Sequence, residues 1–351
     1  GAALQRLAPA GREQVRLPWD VPRPVPDALR AIANRATDRQ VRQRYRNART
    51  LAHALEGWLE HEARQDGDPH AQLIERVRQL GMLPAMPGAA ARAARLALME
   101  RQHTEEMAQL VLQDAALTLE LLRAVNSAQV RGSQISGSGP VLTVRRAIAM
   151  VGLDGVRRSA LAMRKWPGPL DAGAADELEQ AVAAAQRAAR LAQMLRPPGY
   201  DFEMVALVTL LQNLGRLVLH YHCADDMRQV RRLMAPHTAA APGELDEPGM
   251  SEQAAAFAVL GFDIEGMALA VARWMGLGGG SDEAVLLMMR RLSLDKPVRA
   301  ADNDDELLRA LSSAANEAVD ALALPVERQP AAIERVAKRY ARVLEITPRD
   351  L

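Results

Sequence analysis

The sequence of 351 residues has little cysteine, few aromatic residues and no excess of charge of either sign. Its one cysteine, Cys223, excludes an internal disulfide and any metal site built from several cysteines. Aromatic residues make up only 3%, so a core has to be built from aliphatic side chains. Lys and Arg total 44 against 43 Asp and Glu, whereas a protein that mainly holds nucleic acid carries a basic excess. Nucleic acid is therefore not expected as a partner.

Long apolar runs and strand patterns are also missing. No run of about 18 apolar residues occurs, so no membrane span is predicted, and the amino end lacks the apolar core of a signal peptide. We therefore expect a cytoplasmic protein. Apolar residues recur at helical spacing through most of the chain, without the alternation that half-buried strands show. The predicted fold class is all-α.

Breaks in the helical pattern divide the chain into three predicted parts. Residues 1–68 end at the polar break Asp66-Gly67-Asp68-Pro69, residues 76–292 form the central domain, and residues 303–351 hold two amphipathic helices. Between residues 202 and 219 nearly every position is apolar. This run predicts one helix, buried at the centre of its domain.

Sequence blocks in a fixed order carry a resemblance to a known family. They are Leu83-Pro84-Ala85-Met86-Pro87, residues 113–118, 122–128 and 146–153, and then 207–219 and 252–274. In these blocks the sequence resembles the HDOD domain, a bacterial signalling relative of the HD phosphohydrolases. The resemblance covers about residues 76–292. It implies an HD-like helical bundle, with extra helices here at both ends.

The residues at the family's metal-binding positions are altered. HD-type hydrolysis uses imidazoles and carboxylates that hold metal ions, activate water and clamp a phosphate. The resemblance places the His-Asp pair at Gln212 and Asn213, an earlier ligand histidine at Gln180 and a later family histidine at Ile264. Amides are poor ligands for divalent metals. The resemblance therefore implies a domain without metal, cofactor or catalysis.

Two interpretations of Gln212 and Asn213 remain open. Buried amides cost about 1–3 kcal/mol each when they lack hydrogen-bond partners. The pair is therefore either a hydrogen-bonded network at the former metal position or part of a polar ligand pocket, for example for a nucleotide. The network is the favoured interpretation.

A substitute metal site is the alternative hypothesis. His220, His222, Asp225 and Asp226 lie within seven residues and supply imidazoles and carboxylates. On a regular helix His220 and His222 point about 200° apart, so only an irregular helix end would bring them together. Such a site would make the protein a metal-dependent phosphohydrolase with relocated ligands. Cys223, beside the cluster, is expected to be a small core residue.

Other family positions are expected to be structural. They are Asp114, Asn126, Ser127, Gly152 and Gly215. Asp and Asn near helix ends cap backbone amides more often than they catalyse reactions. Thr143 is predicted to cap a helix that ends at Gly152.

Two groups of arginines are candidates for an interaction surface. The first is Arg145, Arg146 and Arg157 with Arg158 and Arg164, and the second is Arg228, Arg231 and Arg232. Arginines paired with nearby acids form an ordinary solvated surface, whereas other arginines can hold an acidic partner or a phosphate. The solvated surface is the favoured interpretation of both groups.

The amino-terminal segment resembles the end of the C-terminal lobe of bacterial Ser/Thr protein kinases. The matching residues are Val25-Pro26-Asp27-Ala28-Leu29, Arg44-Tyr45-Arg46-Asn47-Ala48 and residues 51–55. The kinase nucleotide loop and catalytic aspartate have no counterpart, so no phosphotransfer is expected. The segment is interpreted as a relic or as a sign that the chain is a piece of a longer kinase-containing protein.

An apolar stripe in this segment predicts where it packs. The stripe consists of Tyr45, Leu51, Leu55 and Trp58. Its apolar surface is larger than a segment of about 65 residues can bury alone. We expect the stripe to pack on the HDOD-like region or on a second copy of the chain.

The resemblance as a whole implies a non-catalytic signalling or scaffold module. Its partners are expected to be proteins, among them kinase or cyclic-dinucleotide signalling components, and not membranes. Self-association is left open.

Overall fold

The computed structural model describes residues 27–37, 41, 44–63, 69–89, 104–126, 140–236, 249–278, 283–294 and 297–351. These residues form fifteen α-helices and one 3-10 helix and contain no strand, which confirms the all-α prediction. The helices are α1 Asp27–Ala36, α2 Ala48–Ala63, α3 Pro69–Leu80, α4 Thr104–Leu112, α5 Ala115–Asn126, α6 Val144–Ala162, α7 Ala172–Met194, α8 Phe202–Leu211, α9 Leu214–His222, α10 Ala224–Met234, α11 Glu252–Leu260, α12 Ile264–Trp274, α13 Glu283–Met288, α14 Asp304–Leu322, the 3-10 helix Val326–Arg328 and α15 Gln329–Leu344.

Contacts divide the chain into two compact units, each built from distant stretches of sequence. The first draws on residues 1–72 and 223–266, and the second on residues 73–222 and 267–351. Each of the three predicted parts is one continuous stretch of sequence, whereas each unit combines two separate stretches. The predicted parts therefore differ from these units.

The first unit is a helical cluster around α2 and α11. Helix α2 packs on α11 and α1, and α10 packs on α11. Ile32 and Ala54 are buried at this centre, with 2% and 0% of their surface exposed. Because α11 lies inside the HDOD-like region, the helix that carries most of the amino-terminal stripe packs on that region, as predicted. Its large side chains, Leu55 and Trp58 among them, are half-buried.

The second unit has α7, α8 and α14 at its centre. Helix α14 packs on α7, α8, α13 and α15. The buried face of α7 consists largely of alanines, and their small side chains let the neighbouring helices approach closely. In α15, Tyr340 is fully buried, and its hydroxyl donates to Glu317 Oε1 at 2.6 Å. The carboxy-terminal helices are thus part of the core.

The apolar run at residues 202–219 forms two helices, so the prediction of one helix is wrong. The axes of α8 and α9 differ in direction by 47°. At the junction the amide of Asn213 donates to Leu210 O at 2.9 Å, three residues back, which tightens the last turn of α8.

Among the described residues, no single helix is long and apolar enough to cross a bilayer. The pairs α8 with α9 and α11 with α12 reach that length and composition only together, across bends of 47° and 73°.

Candidate functional site

Helix α8 carries the Gln212–Asn213 pair into the interior of the second unit. Asp201 caps this helix, because its Oδ1 accepts hydrogen bonds from two amides of the first turn, including that of Glu203 at 2.8 Å. All but one of residues 203–211 are buried. Gln212 and Asn213 follow with 8% and 4% of their surface exposed, so their amides must find partners within the protein.

Both ends of the Gln212 amide are hydrogen-bonded. Its Nε2 donates to Met288 O at 3.0 Å and lies 3.3 Å from Arg309 O. Its Oε1 accepts from Nδ2 of Asn316 at 3.1 Å. Ser313 Oγ lies 3.3 Å from the nitrogen and 3.4 Å from the oxygen. The side chain therefore joins the end of α8 to α13 and α14.

Both ends of the Asn213 amide are also hydrogen-bonded. Its Nδ2 donates to Thr209 O at 3.0 Å and to Asn316 Oδ1 at 2.7 Å. Its Oδ1 accepts from Nη2 of Arg291. Asn316, only 2% exposed, thus bonds to both residues of the pair.

An ion-pair cluster lies next to Asn213. The carboxylate of Asp320 accepts from Arg291 at 2.7 Å and from Arg216 at 3.3 Å. Burial alone would raise the pKa of Asp320, but the two guanidinium groups outweigh burial and lower it. Asp320 is therefore ionised at neutral pH and holds Arg291 against the amide pair.

This geometry fits a hydrogen-bonded structural network. The amide oxygens are the atoms of the pair that could bind a metal, and both already accept hydrogen bonds. A divalent cation at Asn213 would also approach the positive charge of Arg291. Of the two interpretations of the pair, the hydrogen-bonded network is the one that the distances support.

The other two altered family positions are not part of this network. Gln180 is exposed on α7. Ile264 is half-buried at the start of α12 and belongs to the first unit, whereas Gln212 and Asn213 belong to the second. The structure brings together two of the four residues.

The residues of the alternative metal cluster belong to different units. His220 and His222 are buried in α9, with 8% and 9% of their surface exposed, whereas Asp225 and Asp226 lie in the first turn of α10 in the other unit. Asp225 has an exposed side chain that pairs with Arg228. In the part of the chain that the structure describes, no three His, Cys, Asp or Glu side chains are grouped so that they could hold a metal ion.

The hydrogen bonds of His222 indicate a structural role. Its Nε2 lies 3.1 Å from Gly81 O, and its own carbonyl accepts from Arg76 Nη1 at 3.0 Å. Burial lowers the pKa of His222 to about 4, so the imidazole is neutral at neutral pH and its Nε2 donates to Gly81. The neighbouring Cys223 is half-buried before α10, so it is less enclosed than the predicted core residue.

Two family-signature polar residues stabilise backbone, as predicted. Asp114, 1% exposed, accepts at Oδ1 from the amide of Leu117 at 3.1 Å and so caps α5. Asn126 ends α5 and holds both backbone groups of Val141, since it accepts from the amide at 2.8 Å and donates to the carbonyl at 3.1 Å. Ser127 lies outside the described residues.

The two signature glycines have different surroundings. Gly152 interrupts α6 with φ 69° and ψ 175°, a backbone conformation that is essentially restricted to glycine. The helical backbone is interrupted at Gly152 as predicted, but it resumes directly after this residue, so Gly152 marks a kink in α6 and not its end. Thr143 occupies the cap position of α6 but makes no side-chain capping hydrogen bond, contrary to the prediction. Gly215 is buried in α9.

Arg145 has a structural role and differs from the other arginines of its group. Its Nε lies 2.8 Å from Glu203 Oε1, its amide donates to the same carboxylate at 2.9 Å, and its guanidinium also pairs with Asp201. Burial raises the pKa of Glu203, and Arg145 counteracts this effect. Arg146 and Arg157 are exposed, and Arg157 lies 3.8 Å from Asp154.

The partners of the amide pair were not identified from the sequence. They are Ser313, Asn316 and Arg291, with Asp320 behind them. A local signal exists, because Ser312, Ser313 and Asn316 interrupt the apolar face of α14 at helical spacing. Such polar positions on a buried helix face require partners.

Comparison with protein-family models finds the HDOD domain over residues 83–260, half of the chain. A virulence factor from Campylobacter jejuni has 14% identity and a TM-score of 0.53, with 81% of this chain and 93% of that chain covered. The response regulator MmoQ from Methylococcus capsulatus has 22% identity and a TM-score of 0.49, with 73% and 92% covered. An HDOD domain protein of unknown function from Geobacter sulfurreducens has 16% identity and a TM-score of 0.36, with 80% and 89% covered.

No curated protein matches the chain significantly. The likeness to the Campylobacter protein shows a shared helical fold. The family match covers α8, α9 and the Gln212–Asn213 pair between them. The chain belongs to the HDOD family.

Proposed function

We propose that this HDOD protein is a non-catalytic signalling module that acts in the cytoplasm by binding another protein. The observation that carries the proposal is the Gln212–Asn213 network. Both amide oxygens accept hydrogen bonds, one of them from the guanidinium of Arg291, so neither is open to the metal ion that this type of hydrolysis uses.

The exposed face of α6 after its kink is the proposed binding surface. Leu161 is 80% exposed there, with the exposed Arg157 and Arg158 four and three residues earlier on the same helix face. An exposed leucine beside arginines suits a partner that offers an apolar side chain flanked by carboxylates. Kinase or cyclic-dinucleotide signalling proteins are the partner classes that we propose to test first.

Metal analysis and hydrolysis assays test the non-catalytic part. We expect the full chain to hold no stoichiometric divalent metal after dialysis against Mn²⁺ and to leave cyclic dinucleotides intact. The variant Q212H/N213D should likewise hold no metal and hydrolyse no cyclic dinucleotide. It restores only two of the four ligand positions, since Gln180 is exposed and Ile264 lacks a donor atom. Near-equimolar metal in the wild-type protein that is lost in His220→Ala or His222→Ala would support the phosphohydrolase instead.

Affinity capture with the full chain tests the binding part. We expect the double variant L161D/R158E to lose the specific partner that the wild-type protein retains. Val326→Asp is a matched control, since Val326 is a similarly exposed apolar residue, 75% exposed, on the 3-10 helix. Equal capture by wild type and L161D/R158E would exclude the α6 face as the binding surface.

A further inference from the structure

A groove on the second unit lies between α4, α7 and the start of α8. It has a volume of about 370 Å³, within the range of roughly 300–1,000 Å³ that is typical of ligand pockets. All nine of its lining residues lie in the stretches 104–126 and 172–211, which the structure describes without a gap. None of the nine is acidic, and five are polar, namely Gln109, Gln113, Gln186, Arg190 and Gln193.

Arg190 brings a positive charge to the wall of this groove. It is exposed on α7 and forms no hydrogen bond or ion pair with a described residue. Arg145, by contrast, is paired with Asp201 and Glu203. Because no acidic side chain lines the groove, the carboxylate of a ligand is the complementary partner for Arg190.

Two of the glutamines are held in place by backbone carbonyls. Nε2 of Gln186 donates to Gln113 O at 2.7 Å, and Nε2 of Gln193 donates to Phe202 O at 3.2 Å. Neither side-chain oxygen accepts a hydrogen bond from a described residue, so both are available as acceptors. The guanidinium of Arg145 lies 5.4 Å from the centre of the Phe202 ring. A wall that is ordered before binding loses little conformational entropy when a ligand binds.

The polar groups on α7 have a spacing that suits an extended chain. Gln186, Arg190 and Gln193 occupy positions i, i+4 and i+7, so they share one face of the helix. With a rise of about 1.5 Å per residue, the two glutamines lie about 10.5 Å apart along the axis. An extended peptide rises about 3.4 Å per residue and covers this distance in about three residues. Both glutamine oxygens can therefore accept from backbone amides of one short segment.

We propose that this groove binds an extended segment of the partner protein that carries an acidic side chain. Gln186 and Gln193 accept hydrogen bonds from backbone amides of the segment, and Arg190 pairs with the carboxylate between them. The inference rests on the protein-binding function proposed above and adds a second contact, distinct from the α6 face.

An NMR chemical-shift titration of the full chain tests the groove with three blocked peptides. They are acetyl-Thr-Val-Glu-Val-Thr-amide and its glutamine and lysine analogues, whose β-branched residues favour an extended backbone. We expect saturable shifts of the side-chain amides of Gln186 and Gln193, and the glutamate peptide should bind about tenfold more tightly than the lysine peptide. Sodium glutamate should bind more weakly than the glutamate peptide, because it offers no row of backbone amides.

Charge reversal at Arg190 locates the site. We expect R190E to weaken binding of the glutamate peptide about tenfold and to reverse the preference, so that the lysine peptide binds more tightly. The matched control is R187E, since Arg187 is exposed on the same helix but does not line the groove. It should bind the three peptides as the wild type does. If R190E does not fold, R190Q replaces it and should bind the glutamate and lysine peptides about equally.

The variant L161D/R158E separates this inference from the function on which it rests. It should bind the glutamate peptide as the wild type does, so a loss of partner capture in this variant concerns the α6 face alone. Capture of a partner by the wild type without binding of the glutamate peptide would overturn the groove alone.

Three further results would overturn the proposal. They are shifts that do not saturate with the glutamate peptide, equal weakening of its binding by R190E and R187E, and binding of sodium glutamate as tight as that of the peptide. The last result would identify a small acidic ligand in place of a protein segment.

Discussion

At the scale of single residues, Asn316 holds the amide network together because it bonds to both Gln212 and Asn213. Asn316→Ala leaves two buried amide atoms without these partners. We expect it to lower the free energy of unfolding by about 1–3 kcal/mol, measured by denaturant titration. Gln180→Ala, at an exposed position of α7, should stay within about 0.5 kcal/mol of wild type. Equal costs for both variants would contradict the network's structural role.

His222 predicts a loss of stability in acid. Its folded pKa, about 4, lies below the ordinary value of 6.5, so the unfolded chain binds the proton more tightly. The contribution of neutral His222 to the free energy of unfolding is fully present above about pH 6.5 and falls as the pH drops towards 4. One pKa unit corresponds to about 1.4 kcal/mol, so the loss is about 3 kcal/mol.

Unfolding titrations between pH 7 and pH 4 measure this loss. His222→Gln keeps a donor for Gly81 O but cannot be protonated, so its stability should fall less over the same interval. Parallel pH profiles for the wild type and the variant would rule out His222 as the source.

Residue roles were predictable where the partner is near in sequence. Asp114 caps an amide three residues away, and this was predicted from its place before a helix. Arg145 pairs with acids 56 and 58 residues away, and Asn213 bonds to Asn316 at a separation of 103. Helical periodicity shows that a position is buried but not which distant side chain meets it.

At the scale of elements, the kink in α6 depends on Gly152. A methyl group at Gly152 would meet no atom within 4 Å, so only the backbone conformation opposes a side chain. We expect Gly152→Ala to cost about 1–3 kcal/mol in thermal or denaturant unfolding. Gly173→Ala in α7, where no positive φ is required, should be neutral or slightly stabilising. A neutral Gly152→Ala would mean that the kink straightens freely.

The packing of α2 on α11 predicts protection of its backbone. The amides of residues 51–58 should exchange with solvent far more slowly than those of an unfolded peptide. Because Trp58 is half-buried, Trp58→Ala should cost about 1.5 kcal/mol and not the 3 kcal/mol or more of a fully buried indole. Exchange of these amides at the unfolded rate would contradict the packing of α2.

Helix positions were largely predictable because apolar spacing and caps are local. The two carboxy-terminal helices were predicted from their apolar faces and are observed as α14 and α15. The break between α8 and α9 was not predicted, because the apolar pattern continues on both sides of Gln212 and Asn213. The pattern does not show that these two side chains form hydrogen bonds with other helices. The resemblance of the amino-terminal segment to a kinase lobe stays a prediction.

At the scale of the whole molecule, the two compact units could not be derived from sequence order. Residues 1–72 join 223–266, and the final helices join residues 73–222. Each amphipathic helix shows that it needs a partner surface, but the pattern does not identify which helix provides it. A division at polar breaks therefore separates helices that share a core.

This arrangement makes the carboxy-terminal helices part of the core of the second unit. Helix α14 buries eleven residues, packs on α7 and α8, and supplies Ser313 and Asn316 to the amide network. A chain that ends at residue 300 loses that packing and leaves Gln212 and Asn213 with fewer partners. Each unsatisfied amide costs about 1–3 kcal/mol, against a total stability of roughly 5–15 kcal/mol for a domain.

We therefore expect the 1–300 chain to unfold without a cooperative transition and to bind a hydrophobic dye. The full chain should unfold cooperatively and should not bind the dye. A chain of residues 69–351 is the matched control, because it lacks α1 and α2 of the first unit but keeps every α14 contact named above. It should retain a cooperative transition for the second unit. A cooperative transition of unchanged midpoint in the 1–300 chain would show that residues 303–351 are a separable extension after all.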